Sequence, residues 1–82
     1  MTRRDKFIER IRRRPPTAKF GDVRLLLEEY GWTHDRTSGS HEIFTKAGER
    51  TLPVPVHGGV VKRVYLDRIC DLLGLDTENE TD

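Results

Sequence analysis

The sequence predicts an α+β domain in which two helices cover one face of a three-stranded antiparallel sheet, with one extra helix at the N-terminus. Three observations predict it. Apolar residues recur at helical spacing near both ends of the chain and at a period of two between them. Glycine-containing turns separate the alternating segments. The chain has 82 residues, enough for one small core and no second one.

The first helix is expected to start at Thr2, whose side chain can cap it, with Asp5 in the first turn. Phe7, Ile8 and Ile11 form a narrow apolar stripe, so this helix is expected as an appendage lying on the main body. Pro15 and Pro16 end it, because a following proline pushes Arg14 out of the helical region. Residues 1–16 are thus read as a basic helix and proline stop, 17–75 as the domain, and 76–82 as a flexible acidic tail.

In the second helix Val23, Leu26, Leu27 and Tyr30 follow the i, i+3, i+4, i+7 pattern, Asp22 lies in the first turn, and Gly31 supplies a left-handed stop. Phe20 and Leu25 have the spacing of a hydrophobic staple around Gly21. Trp32 to Thr37 reads as a strand, Ser38-Gly39 as a tight turn, and Ser40 to Lys46 as a second strand. Ala47-Gly48-Glu49 is another turn, followed by a third strand from Arg50 to His57. Pro53 and Pro55 cannot donate to a ladder, which puts this strand at a sheet edge or leaves it bonded through its other groups. His57-Gly58-Gly59 then leads into a last helix with an apolar face of Val61, Val64, Tyr65, Ile69, Leu72 and Leu73. Gly74 ends that helix, with Leu75 packing back.

Charge is unevenly spread. Residues 1–14 carry +5, the segment 76–82 carries −4, and the whole chain carries +1. Arg12 to Arg14 can be a solvated helix end or part of a surface that attracts polyanions. No apolar run approaches the roughly 18–20 residues a membrane span requires, and no apolar segment follows Arg3 and Arg4 as in a signal peptide. A single cysteine, Cys70, excludes an internal disulfide and a multi-thiolate zinc site. A cytoplasmic protein is expected.

Strand parity decides where the histidines point. Leu52, Val54 and Val56 share one face of the third strand and must meet the helices, leaving Thr51, Pro53, Pro55 and His57 on the other. Phe44 is the strongest core residue of the second strand, so His41, Ile43 and Thr45 point to the uncovered side. Were Ile43 the core residue instead, the register would flip and bury His41.

Gly31-Trp32, Arg36, Gly39-Ser40-His41, Phe44, Val54-Pro55 and His57, set between two helices, resemble the HicA toxin family, also called YcfA-like. The likeness runs from about Phe20 to Leu75. It implies a fold like a double-stranded-RNA-binding domain, α-β-β-β-α, and a metal-independent mRNA interferase with no cofactor. It also implies a HicB-like antitoxin that covers the site, and it places the catalytic histidine at His41. Two departures stand out. Arg36 is followed by Thr37 where the family usually has glutamine, and the last helix is approached through Val60-Val61-Lys62-Arg63. The N-terminal helix is an extension that only some members carry.

For such a reaction the 2′-hydroxyl of RNA attacks the adjacent phosphate, and imidazole can act as general base or acid near cellular pH. Arg36, Lys46 and Arg50 are candidates to stabilise the charged phosphorane, and Lys62 and Arg63 to hold phosphates. Ser40 can orient the imidazole or cap the turn. Without the resemblance, His41 would read as an exposed strand histidine with no duty. His57 reads as a strand end with a possible second role at the site, and His34 as a packing residue. Tyr65 and Trp32 can stack on bases but also fit core positions, and Cys70 reads as a small core residue. The histidines and Cys70 lack zinc-ligand spacing, so no metal site is expected. Two other readings of the same fold are a non-catalytic RNA-binding module and a domain that receives a protein partner.

Overall fold

The computed structural model describes residues 3–75, and of these all side chains except those of residues 3–5 and 7. The expected cap at Thr2, the side chain of Phe7 and the acidic segment 76–82 lie outside the described residues. In chain order the elements are α1 (Arg3–Arg12), β1 (Thr17–Lys19), α2 (Phe20–Glu29), β2 (Thr33–Ser38), β3 (His41–Thr45), β4 (Leu52–Pro55), β5 (Val60–Lys62) and α3 (Arg63–Leu73). The antiparallel sheet β2-β3-β4 with its covering helices is the predicted α+β, dsRBD-like arrangement, preceded by the extra helix α1.

A second sheet was not expected. β1 pairs antiparallel with β5, Ala18 opposite Val61. Gly58 and Gly59, with φ of 61° and 78°, make the tight turn before β5, and the His57 and Val60 backbones bond each other across it at 3.1 Å. Two positive φ values in a two-residue turn are the type I′ signature. The turn therefore returns the chain as a strand before α3 begins.

The core gathers Phe44, Val54 and Trp32 from the sheet side, Val23, Leu26 and Leu27 from α2, and Leu66, Ile69 and Cys70 from α3. Phe44 is fully buried, as parity requires. Ile43 is also buried, but it stands apart from that cluster, on the other face between Arg36 and Pro53. Two expected packing residues are on the surface instead: Val64 and Leu72 are 52% and 46% exposed. The buried stripe of α3 is Leu66, Ile69, Cys70 and Leu73, an i, i+3, i+4, i+7 set. The Phe20–Leu25 staple is not made either. Leu25 is 51% exposed, while Phe20 packs against Phe44 and His34.

Gly31 ends α2 with φ of 91°. A side chain there would be strained, and its Cβ would meet the Lys46 side chain at 3.3 Å. At the end of α3, Gly74 is left-handed and the Leu75 N–H donates to the Cys70 carbonyl at 2.8 Å, as the sequence predicts.

α1 is more than an appendage. Ile11 is fully buried in the common core. After it, Arg14 turns left-handed at φ 56° ahead of Pro15. Its Nη2 donates to Asp71 Oδ1 at 3.1 Å and to the Leu75 carbonyl at 3.0 Å, while its own carbonyl accepts from Arg63 Nε at 2.8 Å. Arg10 pairs with Asp22, and Arg12 and Arg13 pair with Glu9. Arg14 is thus tied to α3, while Arg13 keeps a side chain 65% exposed, as at a solvated helix end.

Candidate active site on the open sheet face

β2 and β3 form a two-residue hairpin through Gly39 and Ser40, with Ser38 opposite His41. Gly39 has φ of 62° and Ser40 is not left-handed, the pattern of a hairpin with glycine first. The turn lies one residue later than predicted, so Ser40 belongs to the turn and β3 begins at His41. The Ser40 carbonyl accepts from the Val56 N–H at 2.8 Å, which joins this end of β3 to the segment after β4. Positions 54 and 56 therefore donate toward β3, and Pro53 and Pro55 fall where no donor is needed.

This register places His41 between Ser38 and Pro55 on the face away from the helices. The residue is exposed, and its ring makes no hydrogen bond among the described residues. Arg36 opposes Ile43 on the same face, making it the diagonal neighbour of His41; such positions are roughly 7–8 Å apart. The Arg36 guanidinium meets the Asp35 carboxylate. Asp35 is the extra residue of a β-bulge, and the bulge keeps both His34 and Thr37 on the helix side.

Glu42, next to His41 in sequence, belongs to that opposite side. Its Oε1 accepts from the Thr37 hydroxyl at 2.6 Å and lies 2.7 Å from His34 Nε2. The Thr37 hydrogen bond holds the Glu42 carboxyl below its usual range, against the opposing effect of burial and with help from His34. His34 itself packs on Phe20 and Phe44, with ring centroids 5.6 and 5.1 Å away. It is the packing residue the sequence indicated.

The remaining predicted cations do not gather round His41. β3 separates His41 from Thr45 by roughly 13 Å of strand, and Lys46 lies beyond. Lys46 Nζ donates to the Tyr30 carbonyl at 2.9 Å and sits 6.0 Å from the Trp32 ring, so it caps the end of α2. Arg50 borders a hollow with Trp32, Leu52 and Leu72 at that same far end. Lys62 pairs with Thr17 in the second sheet, and Arg63 is tied to the Arg14 carbonyl. His57, exposed, closes the turn before β5.

Arg68 is the residue that sequence reading missed. His41, Pro53, Pro55, Tyr65 and Arg68 line one groove of about 380 Å³ along β4 and α3, floored by Leu52, Val54 and Ile69. Arg68 is exposed, and its Cζ lies 5.9 Å from the centre of the Tyr65 ring. The i, i+3 spacing of Tyr65 and Arg68 was visible, but not that their side of α3 faces β4. Cys70 is buried, with its thiol pushed up by burial and its Sγ on the Ile11 carbonyl at 3.6 Å, which suits packing rather than nucleophilic chemistry.

Among the described residues no cluster of three or more His, Cys, Asp or Glu is arranged to hold a metal ion, and no helix is long and apolar enough to cross a membrane. No curated protein and no solved structure matches the chain significantly. The family model described as the HicA toxin of bacterial toxin–antitoxin pairs matches residues 21–75, spanning α2, the main sheet, β5 and α3. With two thirds of its length matched, this chain belongs to the HicA toxin family.

Proposed function

We propose that this toxin is an endoribonuclease that cleaves mRNA, with His41 as the general acid or base. The observation that carries the reading is an exposed imidazole on the open sheet face, with Arg36 on the same face and Arg68 in the same groove. In the reaction the ribose 2′-oxygen bonds to phosphorus as its proton leaves, and the bond from phosphorus to the 5′-oxygen breaks as that oxygen gains a proton. The products are a 2′,3′-cyclic phosphate and a 5′-hydroxyl. His41 takes one of these two proton transfers, worth typically ~10²–10⁴-fold when well placed. The guanidinium groups of Arg36 and Arg68 favour the extra negative charge on the phosphorane oxygens. Ser40 positions the start of β3, and with it the imidazole, through its bond to Val56.

A family of paired toxins supplies the second element of the proposal, a HicB-type antitoxin that lies over the open face and keeps RNA from His41. The test of the enzymatic reading uses purified protein and a single-stranded RNA. Cleavage leaving 2′,3′-cyclic phosphate ends, and blocked by a 2′-deoxy substitution at the cut nucleotide, is expected. RNA that is bound and left intact would replace this reading with that of a binding module.

A further inference from the structure

We propose that the groove between β4 and α3 is a subsite for one unpaired nucleotide of a single-stranded RNA, its base against Tyr65 and its phosphate on Arg68. The proposal rests on the reading that His41 acts on RNA and names where the substrate next to it is held. The groove volume, about 380 Å³, falls within the roughly 300–1,000 Å³ of small-ligand sites. Its walls are of two kinds. Pro53 and Pro55 present an apolar side, and the half-buried Tyr65 an aromatic one. Over Tyr65 lies the one guanidinium of the lining, that of Arg68.

Arg68 differs from the arginines of the fold that are held in ion pairs. Arg10, Arg14, Arg24 and Arg36 each lie on a carboxylate. Arg68, like Arg50 and Arg63, has no carboxylate partner among the described residues, and of these three it is the one placed over an aromatic ring. A guanidinium over an aromatic ring, in a concave apolar groove and off every carboxylate of the described residues, is complementary to a base and its phosphate. A duplex fits poorly, because its bases are stacked inside and only its grooves and backbone are offered. An added peptide strand fits poorly too. The outward-facing backbone positions of β4 are Pro53 and Pro55, which have no N–H to donate.

The experiment measures the affinity of a short fluorescent single-stranded RNA, and of the corresponding duplex, for full-length His41→Ala protein. Tyr65→Leu keeps apolar bulk and removes the ring; Tyr65→Phe keeps the ring. Tyr65→Leu is expected to weaken single-strand binding about 5- to 150-fold, the loss of one base stack, with duplex binding unchanged and Tyr65→Phe close to the parent. Arg68→Gln is expected to weaken single-strand binding and to lower the salt slope by about 0.7, one phosphate contact. Equal single-strand affinity for Tyr65→Leu and its parent would overturn the subsite, as would an equal loss for single strand and duplex. Wild-type cleavage rates in His41→Ala would overturn the catalytic reading instead, with the subsite still decided by the Tyr65→Leu affinity.

Discussion

Neighbouring residues of β3 face opposite sides of the sheet, and this alternation gives His41 and Glu42 different surroundings. His41 is open to solvent, while Glu42 is held by Thr37 and His34 beneath the helices. The folded Glu42 carboxyl sits below its ordinary value of 4.5, chiefly through the Thr37 hydroxyl. The unfolded chain therefore binds this proton at higher pH than the folded one. The stabilisation is complete above about pH 4.5 and is lost as pH falls through the lower folded value. In Glu42→Gln the loss of thermal stability between neutral and acid pH should be smaller than in wild type, as read by melting temperature across that range. An equal loss would mean that Thr37 and His34 do not favour the ionised form. At this scale the sequence was legible where a residue type is rare and its face is set by parity, as for His41, Phe44 and His34. It was not legible for Arg68, one arginine among many, whose meaning depends on β4 lying across from it.

The elements show which signals travel along the chain and which need a partner. α2 was readable because its apolar spacing, Asp22 and Gly31 are all local. The β1–β5 pair was not, because each strand has three residues and is defined by the other, more than forty positions away. Missing it also misplaced the phase of α3. With Val61 counted as helical, the face runs through Val64 and Leu72; with Val61 in β5, it runs through Leu66, Ile69, Cys70 and Leu73. That rotation turns Tyr65 and Arg68 toward β4 and the groove. The prolines of β4 were readable as an edge signal, and their placement at non-donating positions shows how a strand holds two prolines without losing ladder bonds.

For the whole molecule, the N-terminal extension outside the family match is part of the fold. A small domain gains much from each buried side chain. Ile11→Ala should cost about 2–5 kcal/mol, lowering the melting temperature by at least about 8 °C, whereas exposed Leu25→Ala should stay within about 0.5 kcal/mol. Comparable melting curves for the two variants would show that α1 only rests on the surface. The same framework of two sheets and three helices holds the hairpin that displays His41, to which the proposed function assigns proton transfer. The most direct measurement is single-turnover RNA cleavage by His41→Gly with and without added free imidazole. The variant should cleave ~10²–10⁴-fold more slowly than wild type, and imidazole should restore the rate in proportion to its concentration. Cleavage by His41→Gly at the wild-type rate, indifferent to imidazole, would contradict the assignment of proton transfer to His41.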